Sequence, residues 1–153
     1  MVHRKESDFP KGFNDLKLKQ AKEIAKENFK FLVISNNNDT REDLVKKLTE
    51  LGYLNVESSH THEAMEKLLS DESINFIIAP WQSMYDSLWK ISEKLKENER
   101  LIELPVIILS GESAIEDIKK FAMAEKNYSV LRVPFKMETL KEKIDNLLSF
   151  AFG

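Results

Sequence analysis

The sequence predicts a three-layer α/β/α domain, with a five-stranded parallel sheet in the order 2-1-3-4-5 and helices on both faces. Two observations carry this reading. From residue 29 onward, apolar runs of strand length alternate with amphipathic helical segments, the pattern of a parallel sheet with crossover helices. The first, third and fourth runs are almost continuously apolar, as strands buried on both faces are. The second and fifth are more polar and read as sheet edges. Right-handed crossovers allow this order.

Each element has its own signal. The first strand is Phe31-Leu32-Val33-Ile34. A helix follows over 40–51, with Leu44, Leu48 and Leu51 on one face, Asp39 as its N-cap and Gly52 as its stop. Asn55-Val56-Glu57-Ser58-Ser59 is the weak second strand, and Ala64, Met65, Leu68 and Leu69 line a helix over 61–70. The third strand, Ile74 to Ala79, leads to a helix over 84–98 with Met84, Leu88, Ile91 and Leu95 in register. The fourth, Val106-Ile107-Ile108-Leu109, leads to a helix over 113–125 lined by Ile115, Ile118, Phe121 and Ala122. There Ser113 and Glu116 have the spacing of a capping box. Val130-Leu131-Arg132-Val133 is the fifth strand. Met137, Leu140, Ile144, Leu147 and Leu148 line the last helix, 136–150.

Ahead of this domain, residues 1–13 read as a polar tail. Residues 14–28 read as an extra N-terminal helix with Asn14 or Asp15 as N-cap and a weak stripe of Leu18, Ala21, Ile24 and Ala25. The chain therefore divides into 1–28, a tail and helix, and 29–151, the α/β domain. The N-terminal piece reads as a linker or as a docking or dimerisation helix.

Composition excludes several classes. At 153 residues the chain is one domain able to bury roughly 70% of its unfolded surface without staples. It has no Cys, which removes disulfides, thiolate metal sites and Cys nucleophiles. A net charge of −3 gives no electrostatic reason to expect nucleic acid. No apolar run approaches the ~20 residues of a membrane span, and the polar N-terminus is not a secretory signal, so the expected location is the cytoplasm.

In such a sheet the binding crevice lies outside the C-terminal ends of strands 1, 3 and 4. Here those ends read Ser35-Asn36-Asn37, Pro80-Trp81-Gln82 and Ser110-Gly111. An aspartyl-phosphate needs an Asp nucleophile, and Mg²⁺ is held by one or two carboxylates. Ser35 and Asn36 are neutral, and Pro80 has neither a nucleophile nor an N–H. The crevice suits a neutral ligand and does not concentrate a divalent cation. No Ser/His/Asp set stands out, so no catalytic residue, metal site or cofactor is expected.

The joint pattern resembles the receiver domains of bacterial response regulators, the CheY-like group, over about residues 29–150. FKFLVISNNNDTREDLVKKLTELGY resembles a receiver's first strand, acidic turn and first helix. INFIIAPWQSM resembles its third strand and phosphoacceptor loop, LPVIILSGES its fourth strand with the hydroxyl switch residue, and VLRVPFKMETL its fifth strand and last helix. The resemblance places the paired Mg²⁺-holding acids on Ser35 and Asn36, the phosphorylated Asp on Pro80, the hydroxyl residue on Ser110, the strand-5 Lys on Val133 and the aromatic switch on Val130. Only Ser110 keeps its type. The loop after strand 3 reads one residue shorter than usual, and a cis Val133-Pro134 bond is implied. The expectation is a pseudo-receiver: a non-catalytic, phosphorylation-independent protein-interaction module in bacterial signalling or motility control. Its partner would be another signalling protein or an adjacent domain, with homodimerisation open. The alternative is a small-molecule or nucleotide sensor using the neutral crevice, with Trp81 stacking on a ring.

Receivers generally use the face made by the fourth helix, fifth strand and fifth helix, which points to Ala122, Lys126, Val130, Arg132 and Lys136 as partner-binding residues. Trp81 and Tyr85, with Trp89 nearby, form an aromatic cluster that either covers the end of the core or meets a partner. His60-Thr61-His62 lacks a third ligand and reads as a solvated loop before the helix.

Overall fold

The structure, a computed structural model, describes residues 29–80, 93–111 and 126–152. Strand β1 (Lys30–Ile34) is followed by α1 (Asn38–Glu50), β2 (Val56–Ser59), α2 (Thr61–Ser70) and β3 (Ile74–Pro80). Residues 93–96 are helical and lead to a 3-10 turn, Leu101–Glu103. Then come β4 (Val106–Ser110), β5 (Tyr128–Arg132) and α3 (Met137–Phe152). All strand pairings are parallel, and the order is β2-β1-β3-β4-β5. The expected helices over 14–28 and 113–125, with Ser113 and Glu116, lie outside the described residues. So do the first part of 84–98 and the loop after β3.

Strand alternation sorts the core into two layers. Leu32, Ile34, Ile77, Ala79, Val106 and Ile108 pack with Ala64 and Leu68 of α2 and with Leu95, Leu101 and Leu104. Phe31, Val33, Phe76, Ile78, Ile107 and Leu109 pack with Leu44 and Leu48 of α1 and with Leu140, Ile144, Leu147 and Leu148 of α3. Ile74 and Phe76 face opposite layers because the β1–β3 register shifts, pairing Lys30 with Ile74 but Phe31 with Phe76. The extra residue is Asn75, whose Oδ1 accepts the Lys30 N–H at 2.9 Å.

Helix α1 begins two residues earlier than the sequence indicates, and its N-cap is Asn37, not Asp39. The Asn37 side chain accepts the Thr40 N–H at 3.0 Å. Asp39 sits exposed in the first turn, where its charge favours the positive end of the helix. At the other end Gly52 (φ 99°) makes the left-handed stop. Its N–H bonds Thr49 O at 3.0 Å and the Tyr53 N–H bonds Leu48 O at 3.0 Å, which drives Tyr53 into the core. Burial, with Asp145 adding, pushes the Tyr53 phenol up to about 12.

Strand β5 begins two residues earlier, and ends one earlier, than the apolar run Val130–Val133 suggested. Buried Asn127 sets it: its carbonyl accepts the Val106 N–H at 2.9 Å, and its amide donates to Ile102 O at 3.1 Å and Leu104 O at 2.6 Å. Val133 stands just past the strand, followed by the expected cis bond to Pro134. The reading of 60–62 as a solvated loop is also corrected. Thr61 is buried in the first turn of α2, and only His60 and His62 are exposed.

Candidate functional site

The strand order puts the C-terminal ends of β1, β3 and β4 side by side, with Pro80 paired to Leu109 and Ile34 to Ser59. Ser35 is fully buried. Its N–H bonds Ser59 O at 3.0 Å, and its Oγ accepts the Asn37 N–H at 3.1 Å. Asn36 is exposed, yet its Oδ1 accepts the Thr61 N–H at 3.0 Å, satisfying a donor at the start of α2. Ser110 is fully buried. Its hydroxyl donates to Gly111 O at 2.9 Å, and its carbonyl accepts the Val133 N–H at 2.8 Å. Val133 is half-buried against the α1/α3 layer. The structure therefore gathers Ser35, Asn36, Pro80, Ser110 and Val133 at one end of the sheet. The polar side chains among them that it describes are occupied by backbone groups.

One residue the sequence reading passed over belongs here. Arg41, only 8% exposed, donates from Nη1 to the Ser35 carbonyl at 2.5 Å and from Nη2 to Asn38 Oδ1. Nη1 also lies 3.5 Å from His60 Nδ1. A guanidinium only donates, so this contact needs His60 Nδ1 unprotonated. Arg41 thus places a fixed positive charge at the end of β1. The asparagine three residues before it was the available signal, but an Arg in a charged helix draws no attention by itself.

Beside the crevice lies an open cleft of about 370 Å³. Thr40, Leu44 and Lys47 of α1 form one wall, Leu109 and Gly111 the floor, and residues 133–135 the other wall. Lys47 pairs with Asp43 at 2.6 Å and stands 4.9 Å from the Phe135 ring centroid.

The proposed partner residues are only partly in view. Lys126, Arg132 and Lys136 are exposed around β5, whereas Val130 is half-buried against the α2-side core. Trp81, Tyr85, Trp89 and Ala122 lie outside the described residues. Among the described residues no group of three His, Asp or Glu side chains is arranged to hold a metal ion, and no helix is long and apolar enough to cross a membrane.

No family model matches the chain. Its sequence is similar to Chemotaxis protein CheY1 of Helicobacter pylori, 28% identical over 120 residues, covering 78% of this chain and 96% of that protein. It is also similar to Chemotaxis protein CheY-3 of Vibrio cholerae, 25% identical over 124 residues, covering 81% and 95%. Among solved structures, a response regulator receiver domain protein from Clostridium thermocellum superposes with a TM-score of 0.66 at 23% identity, covering 80% and 95%. The chain folds as a CheY-like receiver domain. On the receiver frame, β1, β3 and β4 end at the crevice described above, and β5 with its neighbouring turn flanks it. Both relatives are chemotaxis proteins by name.

Proposed function

We propose that this receiver is a phosphorylation-independent protein-interaction module, a pseudo-receiver that signals by binding another protein. The carrying observation is Arg41, whose guanidinium is anchored on the Ser35 carbonyl. A receiver that accepts phosphate through Mg²⁺ needs carboxylates at this point to offset the ion's two positive charges. Here the matching side chains are a hydroxyl and an amide, and among the described residues the buried charge beside them, Arg41, has the ion's own sign. Coulomb repulsion adds to the missing ligands. Pro80 stands where the phosphoryl acceptor would be, and proline offers no oxygen nucleophile.

The binding surface we propose is centred on β5 and carries Lys126, Arg132 and Lys136. The exposed cations around β5 favour a partner with an acidic contact face.

The test is intact mass after incubation with acetyl phosphate and Mg²⁺, run beside a phosphorylatable receiver as control. The expected result is an unchanged mass for this protein and a phosphoryl adduct on the control. A stoichiometric, acid-labile adduct here would overturn the reading.

A further inference from the structure

We propose that His60 is a proton-operated latch on the start of α2. Neutral, it joins the buried Arg41 guanidinium to α2; protonated, it lets that contact go.

The first observation is how Arg41 is placed. Its guanidinium meets three elements. It reaches the end of β1 through the Ser35 carbonyl at 2.5 Å and the first residue of α1 through Asn38 Oδ1. It reaches the N-cap of α2 through His60 Nδ1 at 3.5 Å. The carbonyl and the amide keep their acceptors whatever the pH. The imidazole does not: histidine changes charge between pH 5 and 8, and its protonated ring has no acceptor left.

The second is charge. The guanidinium stays positive throughout, and at 8% exposure it is weakly screened. At 3.5 Å the bond to Nδ1 is long, so the repulsion between two cations at that separation matters more than the bond given up. Arg41 is anchored on Ser35 and Asn38, whereas His60 is exposed, so His60 is the partner that moves.

The third is the surroundings. From α2, the His62 ring stands 5.7 Å from that of His60, and its Nε2 lies 3.5 Å from Glu63 Oε1. Lys67 Nζ donates to Ser58 O at 3.2 Å. Helix α1 brings Asp39 and Glu42, both exposed, in addition to Arg41. The ends of β1 and β2 bring the neutral Ser35, Asn36 and Ser59. Among the described residues, the titratable side chains in contact with His60 are thus a guanidinium and a second imidazole.

The fourth is what the latch holds. Without the Arg41 contact, the start of α2 keeps two nearby side-chain bonds: Asn36 Oδ1 accepting the Thr61 N–H at 3.0 Å, and Ser59 Oγ donating to His60 O at 2.7 Å. Acidification therefore loosens the first turn of α2 at the crevice end of the sheet, a proton-driven switch of a local contact.

The test is a series of NMR spectra of the full chain from pH 8 to pH 5 at constant ionic strength. The Asn38 side-chain amide is the reporter, because Arg41 stands between it and His60. The expected result is that this amide and the Arg41 Nε–H shift with the same midpoint as the His60 ring. His60→Gln, which keeps a neutral acceptor, should abolish both shifts, and His62→Gln should leave them in place. An Asn38 amide that does not follow the His60 midpoint overturns the proposal. So does one that still shifts in His60→Gln, or that stops shifting in His62→Gln.

Discussion

Asn36 Oδ1 accepts the backbone N–H of Thr61 at 3.0 Å, across 25 residues of chain. The bond ties the end of β1 to the start of α2. His60, the N-cap of α2, makes no side-chain cap bond, so Asn36 performs that task from the neighbouring strand end. A position that the receiver frame associates with a metal-binding acid is here a structural cap. Asn36→Ala is expected to cost about 1 kcal/mol, the ordinary value of a helix cap. Asn36→Asp keeps an acceptor and should cost far less. Urea unfolding of the three proteins measures both; equal losses for Ala and Asp would show that the bond contributes nothing.

The opposite end of the sheet is held by charge. Lys30 Nζ lies 2.5 Å from Asp71 Oδ2 and 3.1 Å from Glu57 Oε1. Lys30 first, then Ser73 through its hydroxyl and N–H, holds the Asp71 carboxyl down at about 2, below its usual 3.8. A carboxyl depressed in the folded state binds more protons unfolded, so its stabilisation is present above pH 3.8 and is lost as the pH falls toward 2. Lys30 is raised above 10.5 by Asp71 and then Glu57, so its share is present below 10.5 and is lost as the pH climbs past it. Asp71→Asn should therefore lower the thermal midpoint at pH 7, with the gap to wild type closing between pH 4 and 2. A gap that stays constant down to pH 2 would contradict the pairing.

Packing supplies a third contrast. Leu48 is fully buried between α1 and the sheet, whereas Leu54 is 75% exposed. Leu48→Ala is expected to cost about 2–5 kcal/mol through lost burial and the cavity left behind. Leu54→Ala should stay within about 0.5 kcal/mol. Denaturant midpoints at constant m-value decide it.

Much of the frame was legible because periodicity reports burial directly. Three nearly continuous apolar runs read as interior strands and the polar NVESS run as an edge, and right-handed crossovers allow the order 2-1-3-4-5 that the sheet adopts. The errors fell on polar residues. Asp39 and Asn37 are both good caps in isolation, and the choice between them depended on where β1 released the chain. Strand β5 begins at Tyr128 because Asn127 is buried against the carbonyls of Ile102 and Leu104, a contact that no local pattern announces. The bulge at Asn75 hides inside an apolar run for the same reason.

From the sequence alone came the sheet order, the two core layers and the absence of carboxylates at Ser35, Asn36 and Pro80, since each depends on residue type and spacing along one strand or helix. What needed the folded molecule was the setting of those positions: Arg41 on the Ser35 carbonyl, Asn36 capping α2, and the cleft between α1 and Phe135. Hydrogen bonds and cavities form between segments far apart in the chain, and only packing decides which polar groups meet.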